Sequence, residues 1–162
     1  MRFKALSLLA AVLLLAACSS EPKTNEAVST GNGGAGNGLS SGIVPGSEAD
    51  LKQNVGDRVF FALDKSDITA EGRKSLEKQA EWLKKYPAVT VTVEGHADER
   101  GTREYNLALG ERRANAVKKV LTALGIPATR LQTISYGKER PEVVGSTEAA
   151  WSQNRRGVTV VN

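Results

Sequence analysis

One cysteine, one histidine and an aromatic content of only 5% set the first limits on this chain of 162 residues. Cys18 alone excludes an intramolecular disulfide, so no cross-linked framework supports the fold. His96 alone falls short of the nitrogen- and sulfur-rich ligand sets that zinc sites favour. It also has no obvious serine or cysteine partner to activate, and the H-E-x-x-H pattern of zinc peptidases is absent. With the only cysteine at the N-terminus, the inventory argues against a hydrolase or amidase and against a bound cofactor or metal. Long apolar runs are missing too: the longest, 5–17, is shorter than the roughly 20 residues a membrane-spanning helix needs.

An excess of one charge sign is nearly absent. Lys and Arg number 22 against 18 Asp and Glu, a formal net charge of +4. Two of the cations, Arg2 and Lys4, sit in the first few residues. Over 51–162 there are 19 basic and 14 acidic side chains, which suits an anionic polymer or a zwitterionic ligand as well as nucleic acid. Charge alone does not choose among them.

What is present begins with an address. Arg2 and Lys4 precede the apolar run 5–17, which has the dimensions of a secretory h-region and ends in Leu15-Ala16-Ala17-Cys18. This resembles the bacterial lipobox, in which the cysteine is diacylated on sulfur before cleavage. A removed signal peptide over 1–17 and a lipidated Cys18 are therefore expected. Each buried acyl methylene contributes roughly 0.8 kcal/mol, and more than one chain gives stable anchoring. Ser19, in place of the aspartate that commonly marks inner-membrane retention, fits the outer-membrane pattern of such lipoproteins. An export signal also disfavours a nucleic-acid role.

Composition then changes abruptly. The stretch 31–38 reads GNGGAGNG, and Ser, Thr, Asn and Pro fill much of its surroundings. Lacking any apolar period, 18–50 reads as a lipid-attached flexible linker. About 30 such residues relax to an end-to-end distance on the order of 30 Å and stretch to roughly 100 Å.

From residue 51 onward the pattern is that of one domain, 51–162. Strand-like segments are 58–63 (RVFFAL), 89–94 (VTVTVE), 131–136 and 158–161. Thr69 is a plausible N-cap for a helix bearing Arg73, Leu76, Ala80 and Leu83 at helical spacing, closed by Lys84, Lys85 and Pro87. Trp82 lies off that stripe, free either to meet a partner or to pack against the linker. A second helix is expected over 102–124, with Leu109, Ala116, Val117, Val120, Leu121 and Leu124 as its apolar stripe and Gly125 at its end. The order β-α-β-α-β-β predicts an α/β fold of the α+β type: a two-layer sandwich with two helices on one face of a small mixed sheet.

The densest polar loop, 95–101 (GHADERG), follows the clearest strand and leads into the second helix, where binding groups find rigid support. Fifteen residues past Asp98 comes Arg113, bordering the helix's apolar stripe, whereas Arg112 turns outward. A carboxylate that accepts from an ammonium, beside a guanidinium fork that suits a carboxylate, would clasp a zwitterionic amino-acid end. The alternative is that the two simply pair with each other. Asn154-Arg155-Arg156 reads either as a solvated basic patch or as the rim of a pocket.

Gly95-His96-Ala97-Asp98-Glu99-Arg100-Gly101-Thr102, Tyr105-Asn106, Leu109-Gly110-Glu111-Arg112-Arg113-Ala114, Ser135-Tyr136-Gly137 and Asn154-Arg155-Arg156 resemble the peptidoglycan-associated lipoproteins of the OmpA-like family over about 55–162. The resemblance implies a non-enzymatic outer-membrane lipoprotein, its domain facing the periplasm. Asp98 and Arg113 would bind the ammonium and carboxylate at the tip of meso-diaminopimelate in peptidoglycan stem peptides, with further contacts from Asp64, Leu109 and Ala97. It also implies TolB and other Tol components as partners, in the envelope system that acts during cell division, alongside outer-membrane lipid through Cys18. Four positions depart from the pattern: Ala97 stands where Thr is common, Leu63 and Ser66 where aromatics often occur, and Arg103 where Pro is frequent. They thin the ancillary contacts without touching Asp98 or Arg113.

Overall fold

The computed structural model describes residues 42–162. The expected signal segment, Cys18 and most of the linker lie outside the described residues. Four strands, β1 (Arg58–Phe60), β2 (Val91–His96), β3 (Leu131–Gly137) and β4 (Arg156–Val161), form one mixed sheet in the order β1-β4-β2-β3. β2 runs parallel to β3 and antiparallel to β4, which pairs antiparallel with β1. The helices are α1 (Glu48–Asp50), α2 (Ala70–Lys85), α3 (Arg103–Ala123) and α4 (Glu148–Asn154). α2 packs on β1 and α3 on β2 and β3, which gives the two layers expected.

Local chemistry accounts for the element ends. The Thr69 and Thr102 hydroxyls accept from the Gly72 and Tyr105 N–H groups, capping α2 and α3 with Glu71 and Glu104 in their first turns. Strand alternation places Val91 and Val93 in the helix-facing core with Val59 and Leu131, while Thr92 and Glu94 remain half-buried on the other face. Leu76, Leu83, Val117 and Leu121 supply the helical half of that core. One polar pair is built into it: Gln79 donates to the Gly56 carbonyl at 2.9 Å and accepts from the Thr159 hydroxyl at 2.9 Å, so neither buried group is left unpaired.

Several expectations shift. Strand β1 ends at Phe60 instead of residue 63, and β2 is displaced by two residues, starting at Val91 instead of residue 89 and running to His96, which takes Gly95 and His96 out of the loop. Helix α4 was not anticipated; Thr147 caps it by accepting from the Ala150 N–H, a signal hidden by the short length of the element. On α2 Leu76, Ala80 and Leu83 are buried as expected, but Arg73 is exposed and Gly72, one turn before Leu76, takes the buried place. On α3 the buried face runs through Asn106, Leu109, Gly110, Arg113, Ala114, Val117 and Leu121, leaving Ala116 and Val120 only half-buried.

The upstream segment assigned to the linker on composition is also partly structured. Ser47 caps α1, and Asp50 accepts from the Gly46 N–H, the Asn54 amide and the Trp82 indole N–H at 2.8, 2.8 and 2.9 Å. These donors hold the Asp50 carboxyl down at about 2, backbone contact first. Trp82 is buried against this segment and the Tyr86 ring, which settles its two readings in favour of packing.

Candidate functional site

The site is built where β2 crosses α3. A Cβ on Gly95 would collide with the Gly110 carbonyl oxygen, so only glycines let strand and helix backbones approach this closely. One helical turn beyond that contact stands Arg113, which is 0% exposed. Its fork reaches three loop carbonyls: Nη1 donates to His96 at 2.7 Å, Nε to Lys65 at 2.9 Å and Nη2 to Ala62 at 3.1 Å. Its guanidinium carbon lies 5.1 Å from the Phe61 ring centroid. Burial draws its pKa down to about 10, opposed by the negative charges of Asp98 and Asp64. Three of five donors are thus committed to the backbone that frames the site.

Asp98 follows directly on β2, after the Ala97 N–H donates to the Gly137 carbonyl at 2.8 Å and prolongs the pairing. Its carboxylate is 5% exposed and occupied by cations of its own chain. Arg100 donates through its backbone N–H (3.1 Å), Nε (3.1 Å) and Nη2 (2.7 Å), and Arg155 Nη1 through a longer contact of 3.4 Å. Burial pushes the Asp98 carboxyl up, but the Arg100 and Arg155 donors outweigh it and hold it below the usual carboxylate range. Arg155 is itself fixed by the Phe61 carbonyl at 3.1 Å and by Glu148 at 2.6 Å. Arg100 lies over the Trp151 ring at 3.9 Å, and the Trp151 indole N–H donates to Glu99 at 3.0 Å.

Asp98 and Arg113 therefore share one site without pairing with each other. Asp98 pairs with Arg100 and Arg155, while Arg113 serves the carbonyls on either side. Asp64 sits on the exposed turn after β1 in a left-handed conformation (φ 55), within the electrostatic reach of Arg113. Leu109 and Ala97 are buried on α3 and at the end of β2. Leu63 of the same turn is half-exposed. Asn154, Arg155 and Arg156 are all buried, so the triplet is not a solvated patch; Arg155 reaches Asp98, whereas Asn154 and Arg156 bind the 140–143 loop.

His96 turns its ring away toward Glu94 (3.3 Å) and Tyr136, and among the described residues no three His, Cys, Asp or Glu side chains cluster to hold a metal. Sequence reasoning did not single out Arg100 or Glu148. The Asp-x-Arg spacing of 98–100 was the available signal for the first; nothing local marks the second.

A family model described as the OmpA family matches residues 60–155. The peptidoglycan-associated lipoprotein of Brucella melitensis is 53% identical over 93% of this chain and 86% of its own length. The protein of the same description from Haemophilus influenzae is 47% identical over 96% and 95%. Among solved structures, the peptidoglycan-associated lipoprotein from Burkholderia pseudomallei superposes with a TM-score of 0.64 at 40% identity, covering 65% of this chain and 90% of that one.

Proposed function

The chain belongs to the OmpA family, among its peptidoglycan-associated lipoproteins, which are structural and not enzymatic; from that premise we propose that it anchors the outer membrane to the cell wall without altering it. In this reading a lipid on Cys18 holds the chain in the outer membrane. The domain faces the periplasm and grips peptidoglycan stem peptides by the zwitterionic tip of meso-diaminopimelate. TolB and other Tol components are its partners in the Tol–Pal system that acts during division.

Asp98 is the acceptor for the ammonium. Arg113 supplies positive charge beneath the loops of 62–65 and 96, and with three of its five N–H groups committed to their carbonyls it is the counterpart for the carboxylate in this reading. Further contacts in this reading come from the exposed Asp64 and the buried Leu109 and Ala97. The observation that carries the reading is the convergence of a buried carboxylate and a buried guanidinium at one strand end, each held in place by partners other than the other.

The decisive measurement is co-sedimentation of the full chain with purified Gram-negative sacculi. Asp98→Ala should abolish it in protein that circular dichroism shows to be folded. Undiminished sedimentation of that variant, or release of soluble muropeptides by the wild type, would overturn the proposal.

A further inference from the structure

Both oxygens of Asp98 are occupied before any ligand arrives, and the two cations responsible differ in how firmly they are held. Arg155 has an 8% exposed side chain and is tied independently by the Phe61 carbonyl and Glu148, with only a 3.4 Å contact to Asp98. The Arg100 side chain is 34% exposed, and among the described residues its only hydrogen bonds are the two to Asp98. A second seat lies ready for it: the Trp151 ring face is already beneath the guanidinium, and Glu148 Oε2 is 3.9 Å from Nη1. Swinging toward Glu148 would keep the stack and leave the Arg100 backbone N–H on Asp98.

An incoming ammonium meets a carboxylate already opposed by two guanidinium groups, with the charge of Arg113 nearby. Adding a further cation to that cluster without removing one would leave like charges crowded in a partly buried site. We propose that Arg100 is an internal stand-in for the ligand's ammonium, a latch that must leave Asp98 for Glu148 and Trp151 before the amino-acid tip binds. Arg100 then sets both the strength and the selectivity of the site: weakly basic or neutral groups fail to displace a bidentate guanidinium, whereas a primary ammonium aimed at Asp98 succeeds. This inference rests on the wall-binding reading above.

The test compares wild type, Arg100→Gln, Arg100→Lys and Asp98→Ala as full-length chains in detergent, binding sacculi and a soluble diaminopimelate tetrapeptide. Arg100→Gln should bind about three- to tenfold more tightly near neutral pH, the factor expected from removing a competing, partly exposed bidentate ion pair. Its binding should also fail at a higher pH than that of wild type, because the remaining partners hold Asp98 ionised less strongly. Arg100→Lys, a point charge without the fork, should fall between the two, and it serves as the reading if the glutamine variant does not fold. Unchanged or weaker binding by the folded Arg100 variants overturns the latch. Retention of binding by Asp98→Ala overturns the wall-binding reading itself, so the two failures are distinguishable.

Discussion

Gly95 of β2 and Gly110 of α3 meet backbone to backbone, and a Cβ on either would fall inside a neighbour's van der Waals envelope. This contact sets the depth at which α3 lies on the sheet, and so the height of Arg113 beneath the loops. Gly95→Ala should destabilise the domain by about 3 kcal/mol or more, because backbone atoms and not flexible side chains must yield. Urea denaturation checks this. A variant of wild-type stability would mean that the crossing is looser than described.

Arg113→Lys keeps a positive charge but not the fork. A lysine cannot serve the carbonyls of Ala62, Lys65 and His96 together, and buried or partly buried acceptors would be left unpaired. The expected cost is about 2–4 kcal/mol of stability, with weakened sacculus binding. Chemical denaturation and co-sedimentation of the same preparation would separate the two effects. A lysine variant that retained both would show that the fork is dispensable.

His96 makes stability depend on pH. Burial, followed by the charges of Arg156 and Arg140, draws its pKa from an ordinary 6.5 down to about 4, against a smaller upward pull from Glu142. Glu94, 3.3 Å from Nε2, is itself pushed up by burial, against the pull of Arg140 and Arg156. Because the folded pKa is depressed, the unfolded chain takes up the proton first. The contribution is complete above about 6.5 and is lost as pH falls toward 4, on the order of 3 kcal/mol in all. Melting curves across this interval should show the decline, and His96→Gln should flatten it; an equal slope in both proteins would assign the effect elsewhere.

Trp82→Phe removes the indole N–H from Asp50 while keeping an aromatic ring against Tyr86. Asp50 retains Gly46 and Asn54, so the domain should persist while residues 42–50 open more often. Limited proteolysis ahead of residue 51 should accelerate roughly fivefold, the factor that one net hydrogen bond of ~1 kcal/mol supplies. No change in cleavage would show that the indole hydrogen bond does not hold the segment.

Much of the domain was decided by short-range chemistry and could be read from the residues. Thr69 and Thr102 mark helix starts through hydroxyls that act within three residues, and Val89-Thr90-Val91-Thr92-Val93 alternates with the period that a half-covered strand imposes. The strand-to-helix loop carrying Asp98 was visible for the same reason. What distant parts of the chain do to one another was not. Arg113 could be placed at the edge of an apolar stripe, but its burial follows from carbonyls 48 and 51 residues earlier and from two glycines that touch only after folding. Asp98 could be recognised as a candidate acceptor, but its ion pair with Arg155 joins groups 57 residues apart. A local pattern carries helix caps, strand faces and turns because their energies act between near neighbours. The partners of a buried charge are chosen by which loops the packed layers bring together, and that belongs to the tertiary structure alone.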